Sequence, residues 1–184
     1  MIKPTKGKLL VSEPFMMDGN FKRSAVLLCD HTVDDGTVGF ILNKPIDMKI
    51  EELVGDFPEI ESQVYYGGPV ANDTLHYVHN IGEILDNSIE VVKGVYWGGD
   101  FEKLKFLIKS GLVQPDNIRF FLGYSGWSAG QLEAEMEIGS WVIANMDPNY
   151  IFKLSPKMLW EEILKNKGSV FSVISQVPDS NILN

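Results

Sequence analysis

The central segment of this chain reads Phe120-Phe-Leu-Gly-Tyr-Ser-Gly-Trp-Ser-Ala-Gly-Gln-Leu-Glu-Ala-Glu135. The apolar run from Ile118 to Leu122 predicts a buried strand. The three glycines that follow predict a tight bend, because glycine adopts positive φ angles without strain. A short helix should come next, with Ser128 as its N-cap and Gln131 at the capping-box position. We therefore expect a strand, a glycine-rich turn and a helix in succession.

Upstream of this segment, apolar runs predict strands joined by short turns. Asp35-Gly36 is a strong hairpin signal between the run 25–29 and the run 38–42. Asn43-Lys-Pro45 should end this hairpin. Further strands are predicted at residues 7–12, 64–66, 75–79, 89–92, 95–97 and 140–144.

Helices are predicted at residues 49–54, 101–110 and 156–167, the last from Ser155-Pro156 as an N-cap followed by proline. Hairpin turns between the early strands favour an α+β fold with a mixed or antiparallel sheet, and not a doubly wound one. With no linker or repeat in the sequence, we expect residues 1–184 to form a single compact domain. The half-apolar tail, residues 169–184, is expected to dock in part.

Composition narrows the classes of function. The chain has 184 residues, and 16 cationic against 25 acidic side chains give a net charge of −9. This charge disfavours direct binding to nucleic acid. Cys29 is the single cysteine, and the first residues lack the apolar core of an export signal, which together predict a reducing, cytoplasmic location. No apolar run approaches the roughly 20 residues that a membrane span needs.

The sequence offers weak signals for catalysis or metal binding. Gly123-Tyr-Ser-Gly-Trp127 resembles a nucleophile elbow, but Trp127 replaces the last glycine, so Ser125 is expected to be a turn hydroxyl. His76 and His79 should point to opposite faces of a strand and cannot share an ion. His31, at a hairpin end, is expected to be a surface or edge residue and not a general base. We predict no catalytic residue, metal site or cofactor.

Seven residues remain as candidates for a binding surface: Arg23, His31, Asn43, Tyr124, Gly126, Trp127 and Gln131. Arginine can hold a planar oxyanion through two parallel hydrogen bonds, or pair with a structural carboxylate. The aromatic residues can form a partner surface, or they can be core residues. The amides after Gly126 can bind an anion at a helix start, or simply form a structural turn.

Several blocks of sequence together resemble the AlgH/YqgE family. They are Gly7-Lys-Leu-Leu-Val11, Asn20-Phe-Lys-Arg-Ser24, Gly39-Phe-Ile-Leu-Asn-Lys-Pro45, Tyr66-Gly-Gly-Pro-Val70, residues 121–133 and residues 178–184. The resemblance implies a bacterial cytosolic protein with a compact α+β fold and a partly barrel-like sheet. Members are often described as transcriptional regulators. The resemblance carries over no catalytic residues, although members usually have a histidine near the position of His31 and often have alanine at that of Ser125.

Two hypotheses follow. In the first, the protein is a regulator or adaptor that binds a protein partner through a surface around Arg23, Asn43, Tyr124 and Trp127. In the alternative, it is a small-ligand or nucleotide-binding protein, or a weak hydrolase, that uses Arg23 and the amides after Gly126. The oligomeric state is not predicted.

Overall fold

A computed structural model describes residues 3–168, 171, 173 and 175–177. It confirms the α+β class. The strands are β1 (Lys8–Ser12), β2 (Ala25–Thr32), β3 (Gly36–Ile41), β4 (Pro45–Lys49), β5 (Gln63–Tyr66), β6 (Val70–His79), β7 (Ile89–Val92), β8 (Val95–Trp97), β9 (Ile118–Trp127) and β10 (Trp141–Asn145). The α-helices are α1 (Ile50–Leu53), α2 (Phe101–Lys109), α3 (Gln131–Glu137), α4 (Asn149–Phe152) and α5 (Pro156–Lys167).

The strands form one mixed sheet in the order β10-β1-β2-β3-β9-β6-β8-β7. Outside this path, β5 pairs in parallel with β9 and antiparallel with β4. Every pair along the path is antiparallel. The path begins at β10 and ends at β7, so within the described residues the sheet is open and not a closed barrel.

Strand β9 is longer than the sequence predicted. The prediction of a bend after Leu122 is wrong, because the strand continues to Trp127. Residues 118–124 of β9 pair with β6, and β3 pairs with residues 125–127. Gly123 adopts φ +66°, and a Cβ there would lie 2.7 Å from the carbonyl oxygen of Gly68. The glycine therefore permits a close approach between neighbouring backbones where we expected a turn.

Helix α3 also begins later than predicted. Its N-cap is Gly130, at φ +73°, and not Ser128. The Gln131 side chain accepts a hydrogen bond from the Ser128 backbone N–H at 3.0 Å, so half of the expected reciprocal pair is present. The Ser128 side chain does not cap the helix, because Ser128 lies two residues before the first turn.

Strand β4 was missed, because its residues are mostly exposed and it pairs only with β5. The first predicted helix is accordingly shorter and begins at Ile50. Local signals worked better for α2, where the Asp100 carboxylate accepts from the Lys103 N–H at 2.8 Å, and for α5, which begins at Pro156. Most of the tail 169–184, and with it the prediction that it docks, lies outside the described residues.

Three apolar cores hold these elements together. The α5-side core, on one face of the sheet, includes Leu27, Phe40, Phe121, Leu159 and Trp160. The α3-side core, on the opposite face, includes Leu28, Ile41, Trp127, Leu132 and Trp141. The α2-side core includes Ile50, Val64, Leu104, Leu107 and Phe120. Neighbouring residues of one strand, such as Leu27 and Leu28, enter different cores because side chains alternate along a strand.

None of the helices in the described part of the chain is both long and apolar enough to cross a membrane.

Candidate functional site

A groove with a volume of about 360 Å³ lies between the β2–β3 hairpin and the end of β9. The strand register brings its lining together: Asp30 pairs with Val38, and Val38 pairs with Gly126. Tyr124 lies two residues before Gly126 and therefore on the same face of the sheet. The groove thus unites three of the seven predicted residues, Tyr124, Gly126 and Trp127, with residues of the hairpin.

The hairpin gives the groove its negative charge. Asp30 and Asp35 are exposed carboxylates of its lining. The Asp35 carboxylate accepts a hydrogen bond from the Thr32 hydroxyl at 3.0 Å, and that of Asp30 accepts from the His31 N–H at 3.0 Å. Each carboxylate therefore has one local hydrogen bond that restrains it. Among the described residues, no lysine or arginine lines this groove. Neither aspartate is predicted from the sequence, because Asp35-Gly36 indicates only a turn and the position of Asp30 depends on the register between strands.

The Tyr124 ring has a fixed position beside these carboxylates. It packs edge-on against His76, with 5.9 Å between ring centroids. His76 in turn packs on Phe40 at 5.1 Å and on Trp97 at 6.4 Å. Burial lowers the pKa of His76, which keeps the imidazole neutral near pH 7. The groove therefore combines an ordered aromatic ring with two carboxylates.

His31 lies on the opposite face of the sheet, beneath α3. Its side chain is only 7% exposed, so the expectation of a surface or edge residue is wrong. Nδ1 is 2.7 Å from the Thr37 hydroxyl, and Nε2 is 3.6 Å from Glu133 Oε1. This places a hydroxyl, an imidazole and a carboxylate in series. Thr37 is only 5% exposed, so its hydroxyl is poorly accessible to a substrate. The 3.6 Å between Nε2 and Glu133 exceeds hydrogen-bonding distance, so the carboxylate does not orient the imidazole.

Trp127 is a core residue. It is 4% exposed, and its indole N–H donates to the Glu135 carboxylate at 3.0 Å. The same carboxylate accepts from the Trp141 indole at 2.7 Å and from the Gln131 amide at 3.0 Å. The Trp127 side chain therefore belongs to the α3-side core, although the residue contributes to the wall of the groove.

Arg23 and Asn43 lie at the other end of β2. The Asn43 amide accepts from the Ala25 N–H at 3.0 Å and donates to the Arg23 carbonyl at 2.8 Å. The Arg23 guanidinium stacks over Trp160 at 4.9 Å and donates to the Val177 carbonyl. The five residue steps from Ala25 to Asp30 span roughly 17 Å of strand, at about 3.3 Å each, so neither Arg23 nor Asn43 reaches the groove.

The predicted anion site after Gly126 does not form as expected. The Gln131 N–H donates to the Ser128 carbonyl at 3.0 Å, α3 has only 7 residues, and Arg23 lies elsewhere. Ser125 is fully buried, and its hydroxyl donates to the Gly67 carbonyl at 3.0 Å, consistent with a structural role. No group of three His, Cys, Asp or Glu residues in the described ranges is arranged to hold a metal ion.

Comparisons with known proteins agree with this fold. A family model described as AlgH-like (DUF179) matches residues 9–172. The chain is 43% identical over 182 residues to a UPF0301 protein of Chlorobium phaeobacteroides, covering 99% of this chain and 97% of that protein. The solution structure of the AlgH protein from Pseudomonas aeruginosa has a TM-score of 0.73 and 27% identity, covering 97% of this chain and 99% of that one. A crystal structure of a Corynebacterium diphtheriae protein has a TM-score of 0.79 at 21% identity, covering 95% and 93%, and shows the fold alone.

Proposed function

We propose, since this chain belongs to the AlgH-like family, that it is a regulatory or adaptor protein of the bacterial cytoplasm whose groove binds a basic segment of a partner protein. The observation that carries the proposal is the composition of the groove: Asp30 and Asp35 beside the ring of Tyr124, with no cation among its described lining residues. The single buried thiol of Cys29 suits a reducing compartment.

Lysine and arginine side chains suit such a groove for two reasons. A cation over an aromatic face gains roughly 0.5–2 kcal/mol, depending on how far it is desolvated. The two carboxylates add charge complementarity, which speeds association and rejects acidic partners. The net charge of −9 works in the same direction over a longer range.

The same charge argues against direct contact with nucleic acid. Binding to a phosphate backbone needs clustered cations that displace counterions, and the groove presents carboxylates instead. Any effect on transcription would then pass through a protein partner. This part of the proposal predicts no salt-sensitive binding to duplex DNA.

A titration followed by NMR tests the groove directly. Two peptides of equal length would be compared, one rich in lysine and arginine and one with glutamate at those positions. We expect the basic peptide to shift the amide signals of residues 30–36 and 124–126, and to bind less tightly as salt is raised.

A double variant, Asp30→Asn with Asp35→Asn, should weaken the basic peptide at least fivefold. Asp116→Asn, an exposed carboxylate outside the groove, is the control and should leave affinity unchanged. Equal binding of the acidic peptide, or signal changes confined to another surface, would refute the proposal.

A further inference from the structure

A second, smaller pocket lies where β5, β9 and α4 meet, away from the groove. Its volume is about 120 Å³, and its lining includes Ser62, Gln63, Tyr65, Arg119 and Ile151. At roughly 30 Å³ for each water molecule in the liquid, this space accommodates one compact functional group. A nucleotide or a peptide is too large for this pocket and could insert only a terminal group into it.

Arg119 is a buried cation without a carboxylate partner. The residue is 8% exposed, and its guanidinium stacks over the Tyr65 ring at 4.4 Å. It donates to the carbonyl oxygens of Leu42, at 3.1 Å, and of Ile151. No ion pair joins it to any acidic side chain in the described part of the chain. Two neutral acceptors compensate only part of the cost of burying a charge, and a guanidinium has five N–H donors.

Tyr65 supplies a second free donor. The residue is 6% exposed, and its hydroxyl makes no hydrogen bond to another described residue. The hydroxyl is not one of the side-chain atoms that are sealed from solvent without a partner, and Tyr65 lines the pocket, so the hydroxyl can donate to a ligand there. The nearby Ser62 hydroxyl donates only weakly, to the Ile118 carbonyl at 3.4 Å. Donors in this pocket therefore exceed the acceptors that the chain provides for them.

The rim of the pocket is negatively charged, in contrast to the guanidinium of Arg119 inside it. Glu61 and Asp116 are both exposed members of its lining. Their carboxylates repel a ligand with several negative charges, such as a nucleoside triphosphate or a nucleic acid. A single small anionic group is repelled least and still reaches the guanidinium.

We propose that this pocket binds a small oxyanion, the carboxylate or phosphate group of a ligand, through the guanidinium of Arg119 and the hydroxyl of Tyr65. This site is separate from the groove that is proposed to bind a partner, and it predicts a second type of ligand. An oxyanion would accept the donors that the chain leaves without a partner, and charge-assisted hydrogen bonds to arginine are among the strongest in proteins.

Binding can be tested with simple probes at constant ionic strength. Sodium acetate represents the carboxylate, sodium phosphate the phosphate, and sodium chloride is the reference. We expect acetate or phosphate, and not chloride, to shift the amide signals of Ser62, Gln63 and Arg119 with saturation. Which of the two saturates at the lower concentration identifies the ligand class.

Paired variants separate the site from the fold. Tyr65→Phe removes the hydroxyl and keeps the ring under Arg119, and it should weaken binding at least fivefold. Tyr66→Phe is the matched control, because its hydroxyl bonds Asn20 outside the pocket, and it should bind as the wild type does. Glu61→Gln with Asp116→Asn should tighten binding about twofold. Equal responses to all three salts, signal changes only elsewhere, or equal affinities of Tyr65→Phe and Tyr66→Phe would overturn the proposal.

Discussion

The imidazole of His79 shows how one residue links burial to pH. It is fully buried, with Nε2 2.7 Å from the Gly98 carbonyl oxygen, and Nδ1 accepts from the Ile81 N–H at 3.3 Å. Only the neutral ring with its proton on Nε2 satisfies both contacts. Burial lowers the pKa of His79, and the hydrogen bond to Gly98 opposes this effect only in part. A second proton would disrupt the contact with Ile81.

The protein should therefore lose stability through His79 as the pH falls. The folded pKa lies below the unfolded value of about 6.5, so the unfolded state binds more protons, and the contribution is complete above pH 6.5 and declines below it. Urea unfolding between pH 7.5 and 5 would measure this. His79→Gln should lower stability at pH 7.5 by about 2 kcal/mol and give a shallower decline than the wild type. A decline of the same slope in this variant would contradict the assignment.

At the scale of elements, β9 depends on a backbone approach at Gly123. The carbonyl oxygens of Gly68 and Val70 would lie 2.7 and 2.8 Å from a Cβ at this position. Gly130, before α3, also has a positive φ, but a Cβ there would meet nothing within 4 Å. Both glycines have a positive φ, but only Gly123 is in close contact with another backbone. Comparing substitutions at the two positions therefore distinguishes the cost of a steric clash from the cost of backbone strain.

Alanine substitutions at these glycines should consequently differ. Gly130→Ala should cost about 1 kcal/mol, the strain of a left-handed residue. Gly123→Ala should cost at least about 3 kcal/mol, because two strands must also separate. Urea unfolding of both variants measures the difference. Equal losses would show that strain alone explains the glycine at 123.

Local signals predicted some elements well and others poorly. Asp35-Gly36 and Ser155-Pro156 located a hairpin and a helix start, because each acts within a few residues. The course of β9 could not be predicted, since glycine serves bends and close contacts alike. At the candidate site, Tyr124 and Gly126 share a face because of strand alternation, which a sequence shows. The neighbouring Asp30 depends on the register between strands, which a sequence does not show.

At the scale of the molecule, β9 contributes to all three cores, through Phe120, Phe121 and Trp127. The four tryptophans lie in or against the α5-side and α3-side cores, and the α2-side core has none. Tryptophan fluorescence therefore reports on the α5-side and α3-side cores. A substitution in the α2-side core leaves the four tryptophans themselves unchanged. If β9 couples the cores, damage in the third should reach the other two.

Leu104→Ala tests this coupling. The residue is fully buried in the α2-side core, and the change should cost about 3 kcal/mol. We expect tryptophan fluorescence and far-UV circular dichroism to shift together in urea, as one cooperative transition. Leu112→Ala, at a residue that is 60% exposed, is the control and should change stability by less than about 0.5 kcal/mol. An unshifted fluorescence transition in Leu104→Ala would mean that the cores unfold separately.

The position of β1 between β2 and β10 has a consequence during translation. As the ribosome releases the chain, β1 can pair with β2 early, but its other edge waits for Trp141–Asn145. At about 5–20 residues per second, the intervening synthesis lasts on the order of ten seconds. Throughout that interval the nascent polypeptide displays a bare strand edge and an apolar face that α5 has yet to cover. Chaperones that act at the ribosome exit should engage this protein before its release.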